Sequence, residues 1–352
     1  MKSFRIFLID LGLVGGSIVM ALLLVSLALA MGGHPRGLLD WAQGAAGTRA
    51  DLLMSLKNAC PLILTGLAAA VAFRSGVFNI GAEGQSIVGT IAAVTLATRA
   101  LPHLSSPLLA IPLCILAGAI GGAIWALIPA LLDRLRGVPV VLSTILLNFI
   151  ALQLLRMLIE GPLRAITIKT SVPQSDPLIG GYILPIFLQS GAGQLHVGII
   201  IALVIAAACW IVQARTAYGF EILVTGLNPV AARYAGMPVA ARQFGIMLWS
   251  GAFAGIGGTI QLMGVEGAHS LGTDPVSYGY AGIAVALLGR LHPAGVVAAA
   301  IFFALLDHGA DSLEFTTNIP HELSDIVKGL IVLIILCGTA YVASRRRTAM
   351  EH

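Results

Sequence analysis

Charge is what this chain has least of. Asp, Glu, Lys and Arg make up 10% of its 352 residues, against about 25% in soluble domains. With 58% hydrophobic residues and a mean hydropathy of +0.95, that shortage excludes a water-soluble globular fold. Cysteine is scarce too: Cys60, Cys114, Cys209 and Cys337 all lie in apolar runs, with no CxxC pair. They read as small buried hydrophobes, which argues against a redox or thiolate-metal site. Three motifs are missing. Without a GxxxxGK[ST] loop the chain does not hold ATP by itself, and without GxSxG or HExxH it has no foothold for hydrolysis. His321-Glu322 lacks the second histidine of a zinc helix. No catalytic and no metal-ligating set is expected. The net charge of +4 is dispersed over loops and is no signal for nucleic acid.

What is present is a series of apolar runs close to 20 residues long. That length suits membrane-spanning helices and not the shorter alternating strands of an outer-membrane barrel. The expected fold is an all-α membrane protein, a polytopic bundle of about ten transmembrane helices, some short or broken. The spans run roughly over 6–30, 55–73, 79–98, 108–131, 139–159, 195–213, 241–263, 276–290, 293–309 and 323–343. The first, behind Lys2 and Arg5, is longer than a cleaved signal sequence and reads as an uncleaved span. An even number of spans puts both termini on one side. Twelve of the 20 Lys and Arg residues, from Lys2 and Arg5 to Arg345-Arg346-Arg347, fall on that side, which makes it the cytoplasm. The chain then divides into a first helix group (1–213), a cytoplasmic segment (214–240), a second helix group (241–343) and a basic tail (344–352), all one transmembrane domain. Between Gly161 and Gln194, the apolar run Tyr182 to Leu188 suits a short helix along the outer membrane face, with Tyr182 and Phe187 at the interface.

The stretch from Arg215 to Arg242 is a polar island between two long apolar runs. Within it Asn228-Pro229 can start a short helix, and Gly236 with Pro238 stops it. A small-residue helix held beside the membrane suits a groove on a soluble partner, although an ordinary inter-helix loop would carry the same local features.

Polar residues inside apolar runs are the other candidates, since burying them without partners is costly. Asn79, Glu83 and Gln85 enter the third span, and Asn148 stands in the fifth. They either line a translocation path or hold helices together, Glu83 by pairing with Arg74. Interrupted segments recur near Phe78–Gln85 and Ser277–Pro293, at matching places in the two halves, as in pseudo-repeats built around a midplane pathway. Gln261, Glu266, His269 and Asp274 form a second polar group, and Asp307, His308 and Asp311 a third, neither with a complete ligand spacing. Gly251, Gly255, Gly257 and Gly258 read as close helix packing.

Three runs carry a resemblance: Phe78-Asn79-Ile80-Gly81-Ala82-Glu83-Gly84-Gln85, Ser143 to Ile150, and Gly226 to Met237. They resemble the inner-membrane permeases of ABC importers, and among these the nucleoside permeases that work with a basic-membrane-protein-type lipoprotein, within a wider family that includes ribose and simple-sugar permeases. The likeness implies a multi-pass subunit of the bacterial inner (plasma) membrane that moves a nucleoside or related sugar-containing solute. It implies a second permease subunit, paralogous or identical, cytoplasmic ATP-binding subunits that carry ATP-Mg, and an extracytoplasmic solute-binding protein. No cofactor is expected on this chain itself. Asn79, Glu83, Gln85 and Asn148, with Phe78 and Phe149, are the implied path residues. Gly226, Asn228, Pro229, Ala231, Ala232, Arg233 and Gly236 are the implied coupling residues, with Ala231, Ala232 and Gly236 in the ATPase groove. The alternative class is a secondary transporter driven by an ion gradient, which needs ionisable groups deep in the bundle.

Overall fold

Along the helix Pro107–Arg136, Leu108, Leu116, Ile120 and Ile124 are exposed while Gly118, Gly121, Gly122 and Ala126 are buried. This reverses the soluble pattern. It is the arrangement expected where lipid bathes the large apolar side chains and small residues let helix backbones close on each other.

The computed structural model describes residues 36–167, 172–265, 269–274 and 277–317, and the single positions 26, 329, 333, 334 and 337. In chain order the helices are α1 (Gly37–Ala46), α2 (Arg49–Arg74), α3 (Ala82–Thr95), α4 (Pro107–Arg136), α5 (Val140–Glu160), α6 (Gly198–Arg215), α7 (Ala217–Leu227), α8 (Pro229–Tyr234), α9 (Val239–Ile260), α10 (Tyr278–Leu288) and α11 (Pro293–Thr317). Single π-helical turns extend α3 (Leu96–Ala100) and α9 (Gln261–Val265). The chain is a polytopic helical membrane protein. Among the described residues, α2, α4, α5, α6, α9 and α11 are long and apolar enough to cross a membrane.

Several expected boundaries shift. The stretch 276–290 yields only the eleven-residue α10, whose length of about 16 Å falls short of the hydrocarbon core. The stretch expected to start at 195 becomes helical only at Gly198, because Gly193–His196 forms a strand. The stretches 6–30 and 323–343 lie outside the described residues, apart from the single positions. No interfacial helix forms over Tyr182 to Leu188. Tyr182 closes a single 3-10 turn and is buried, with its hydroxyl donating to the Leu101 carbonyl at 2.7 Å. Ile186–Ser190 (β1) then pairs antiparallel with Gly193–His196 (β2) around Gly191.

The described residues fall into two compact units, those up to 55 with those from 304 on, and residues 56–303. In the first, Trp41 of α1 is buried, donates from Nε1 to the Leu306 carbonyl at 3.0 Å and lies against Gly309. His308 stands 3.8 Å from Asp51.

In the second unit α3, α4 and α9 close on one another through glycines. A methyl group added at Gly255 would stand 2.1 Å from the Gly118 carbonyl oxygen, one at Gly251 2.4 Å from that of Gly122, and one at Gly89 2.4 Å from the Gly255 Cα. Gly251 and Gly255, expected to permit close packing, do so here. Helix α7 beds Ile222 against Ala72 of α2 and Ile246 of α9, all three buried. Because α6 runs from β2 to α7, the hairpin and the α7–α8 segment stand at opposite ends of it, about 27 Å apart along the axis.

Candidate solute path and docking surface

The polar turn between α2 and α3 begins with a helix stop. Gly76, at φ +80, ends α2 in a Schellman motif: its N–H donates to the Phe73 carbonyl at 3.0 Å and the Val77 N–H to that of Ala72 at 3.1 Å. The next residues turn inward. Asn79 is fully buried, and its Nδ2 donates to Gln85 Oε1 at 3.0 Å and to Ser250 Oγ at 2.8 Å. Its Oδ1 accepts from the Gly81 N–H at 2.8 Å and from Gln85 Nε2 at 3.2 Å. Asn148 clasps the same turn from α5: Oδ1 accepts from the Gly84 N–H at 2.9 Å, and Nδ2 donates to the Ile80 carbonyl at 3.0 Å and to the Tyr280 hydroxyl at 3.2 Å. The backbone groups freed by the break in the helix are thus satisfied by side chains, as membrane burial requires.

Glu83 reaches across to α10. Its Oε2 accepts from the Gly279 N–H at 2.8 Å, and the Ser277 side chain and the Tyr280 N–H also bond to the carboxyl group. Glu83 therefore caps the N-terminus of the short helix, where free N–H groups and the helix dipole favour an acceptor of negative charge. The alternative pairing with Arg74 is not formed. Gly279 makes the approach possible, because a Cβ there would stand 2.4 Å from the Glu83 backbone. From α2, the Thr65 hydroxyl donates to the Tyr278 carbonyl at 3.0 Å. The two interrupted segments, matched by position in the sequence, are in direct contact.

This places the six candidate path residues in two sets. Asn79, Glu83, Gln85 and Asn148 are buried, Asn79 and Gln85 bonded to each other, Asn148 to the backbone of the turn and Glu83 to the start of α10, whereas Phe78 and Phe149 are 57% and 62% exposed. Tyr280, half-exposed and tied to Asn148, joins the exposed set. Neither Tyr280 nor Ser250 was singled out from sequence; the Gly-rich stretch around Tyr280 was the available signal.

The α7–α8 segment has a firm local build. Asn228 Oδ1 accepts from the Ala231 N–H at 2.9 Å, which caps α8, and Pro229 sits in its first turn. Gly236, at φ +79, closes it with a second Schellman motif: its N–H donates to the Arg233 carbonyl and the Met237 N–H to that of Ala232, both at 3.0 Å. Start and stop are those expected from the residues. Arg242 pairs with Glu221 and stacks 4.8 Å over the Tyr218 ring, which joins the first turn of α9 to the N-terminal half of α7. The outward surface is Leu227, Val230, Ala231 and Tyr234, the last 91% exposed, with Asn228, Pro229, Arg233 and Gly236 around it. Ala232 is not part of it. Its side chain is 0% exposed, because on a one-turn-and-a-half helix it is the residue facing the bundle. Gly226 is likewise packed inward, against the backbone of Arg74 and Ser75.

At the hairpin end, Arg99 donates to Asp176 at 3.0 Å and to the Arg164 carbonyl at 2.8 Å. Burial pushes the Asp176 carboxyl up. Hydrogen bonds from the Thr167 hydroxyl, the Thr167 and Ile166 N–H groups and Arg99 outweigh it and hold the group below its ordinary range. His196 is buried; its Nδ1 accepts from the Gly198 N–H at 3.0 Å, and its ring lies against Gly264. Burial, then the charge of Lys57 and the nearness of His269, push its pKa down to about 4. Of the second polar group, Gln261 is buried, Asp274 pairs with Arg156 at 2.6 Å, and His269 Nδ1 lies 3.2 Å from the Leu262 carbonyl; Glu266 lies outside the described residues.

A family described as branched-chain amino acid transport system / permease component matches residues 52–336. The chain is 34% identical over 308 residues to the glucose ABC transporter permease protein TsgB13 of Haloferax volcanii, covering 84% of this chain and 78% of that one. It is 36% identical over 291 residues to the guanosine ABC transporter permease protein NupP of Bacillus subtilis, covering 81% of each. It is 33% identical over 312 residues to the nucleoside ABC transporter permease protein NupB of Lactococcus lactis, covering 87% and 85%. The last two organisms each hold a second similar permease, NupQ at 31% and NupC at 28% identity.

Proposed function

The chain belongs to the permease-component family of branched-chain amino acid transport systems, and from that premise we propose how it works. It is the membrane-spanning subunit of an ABC importer, a transport subunit and not an enzyme, and a multi-pass protein of the bacterial inner membrane.

The solute we assign is a nucleoside or a related sugar-containing molecule, a reading supported by similarity to guanosine, nucleoside and glucose permeases over most of their lengths. The working assembly pairs this chain with a second permease, as the paired relatives in Bacillus and Lactococcus suggest. Cytoplasmic ATPases bind ATP-Mg, and an extracytoplasmic binding protein delivers solute. About ten spans with both termini in the cytoplasm put α7 and α8 on the ATPase side, in the segment 214–240.

One observation carries the mechanism: a short helix, capped at both ends, presents Val230, Ala231 and Tyr234 to the outside beside Leu227 at the end of α7, in a chain that has no nucleotide motif. Closure of the ATPases on ATP carries α8, and the paired permeases rock between the two openings. Asn79, Gln85, Asn148 and Glu83 hold the wall of the path rigid, and Phe78, Phe149 and Tyr280 face the solute. A gradient-driven transporter would need a free ionisable group at depth, whereas Glu83 is engaged in capping α10. Reconstitution tests the reading. Vesicles holding both permeases and the ATPases should take up nucleoside only with ATP inside and binding protein outside; concentrative uptake by the permeases alone would refute it.

A further inference from the structure

Just before the docking helix, the end of α7 meets the end of α2 main chain to main chain. Gly226, next to last in α7, lies against the end of α2 so closely that a Cβ on it would stand 2.0 Å from the Arg74 carbonyl oxygen and 3.0 Å from the Ser75 carbonyl carbon. From the other side, a Cβ on Gly76 would stand 3.4 Å from the Gly226 Cα. No side chain lies between them to yield. Two residues before Asn228 on one strand, the contact leads directly to α8; two residues before Phe78 on the other, it leads directly to the turn that Asn79, Glu83 and Asn148 hold.

We infer that Gly226 and the Arg74–Gly76 turn form the joint through which movement of the docking helix reaches the solute path. The inference rests on the ABC-importer reading and adds to it the positioning residue that links its two ends. Three features make the joint stiff. The Schellman motif at Gly76 fixes the turn by two backbone bonds, and the Ser75 hydroxyl adds a third to the Ala72 carbonyl at 2.7 Å. Ile222 and Ala72 are packed in one buried cluster beside it. Beyond the turn, Val77 is locked among Ala126, Ala130 and Met247. Displacement of α7 therefore cannot be absorbed by a soft side chain. It passes to residues 77–85, and through Glu83 to the N-terminus of α10. Gly226 contributes by having no Cβ, not by touching solute or ATPase.

The test uses the complete assembly with its ATPases and binding protein. Gly226→Ala should leave co-purification of the ATPases and ATP hydrolysis within about twofold of wild type, while solute taken up per ATP falls at least tenfold. Hydrogen exchange should show that nucleotide changes the protection of residues 75–85 in wild type and not in the variant. An unchanged ratio of uptake to hydrolysis in the assembled complex overturns the inference. If Gly226→Ala fails to assemble, Gly76→Ala decides. Its Cβ meets Gly226 only at contact distance but strains the φ +80 turn, so a drop of about threefold in uptake per ATP supports the joint, and a wild-type ratio rejects it. Absence of ATP-dependent uptake in wild type would instead count against the importer reading itself.

Discussion

Glu83 and Gly279 are 196 residues apart in the chain, yet the Glu83 carboxyl accepts from the Gly279 N–H at 2.8 Å. The bond fastens an interrupted helix in one half to the interruption in the other. Removing its acceptor leaves first-turn N–H groups of α10 buried without partners. Glu83→Ala should therefore destabilise the folded chain by about 1–3 kcal/mol. Glu83→Gln, which keeps an acceptor, should cost less than half of that. Thermal unfolding of the detergent-solubilised protein compares the two; equal losses would show that the charge, and not the hydrogen bond, is what matters.

Asn148 serves three groups at once: the Gly84 N–H, the Ile80 carbonyl and the Tyr280 hydroxyl. Asn148→Leu should cost about 2 kcal/mol or more through the unsatisfied backbone pair, and it should raise hydrogen exchange at residues 80–85. Tyr280→Phe removes only one bond and should leave stability within about 0.5–1.5 kcal/mol of wild type. Its larger effect should be on the apparent affinity for solute, measured by uptake at graded concentrations.

The proposed docking face can be separated from its support. Tyr234→Ala should weaken co-purification of the ATPases at least tenfold with little change in thermal stability, since the ring is almost wholly exposed. Ala232→Leu should do the opposite and lower stability by about 1–3 kcal/mol, because the added bulk has to enter a packed interior. Gly236→Val strains a left-handed position by about 1–2 kcal/mol and should fray the end of α8.

Acid should loosen the hairpin end. The folded pKa of His196 is about 4, below its ordinary 6.5. Between those values the unfolded chain binds a proton that the folded chain refuses. Stability is therefore complete above about pH 6.5 and falls as pH drops toward 4, by at most about 1.4 kcal/mol per pH unit. The depressed Asp176 carboxyl works in the same direction at still lower pH: its contribution is present above its ordinary 3.8 and disappears as pH falls through the folded value. His196→Asn keeps an acceptor for the Gly198 N–H and should flatten the limb between pH 4 and 6.5 in thermal unfolding followed across pH.

Much of this was readable from local chemistry. Asn228-Pro229 and Gly236 mark the ends of α8 because capping and left-handed stops are properties of single residues. The polar run from Asn79 to Gln85 announced a break because polar groups in an apolar stretch must find partners. Which partners they find was not readable, since Glu83–Gly279 and Asn79–Ser250 depend on how distant helices meet. The same limit explains Ala232, whose orientation depends on the placement of α8 and not on its composition. The run Tyr182 to Leu188 misled for another reason: its apolar residues suit an interfacial helix as well as they suit β1, and only pairing with Gly193–His196 decides between them.

The glycine crossing of α3, α4 and α9 has a consequence for traffic. With Gly255 pressed on Gly118 and Gly251 on Gly122, the seam has no room even for a methyl group, so it behaves as a welded keel rather than a sliding plane. Under the proposed function, solute has to be steered past it, and whatever opens and shuts has to swing on the flank where Phe78, Phe149 and Tyr280 are bare.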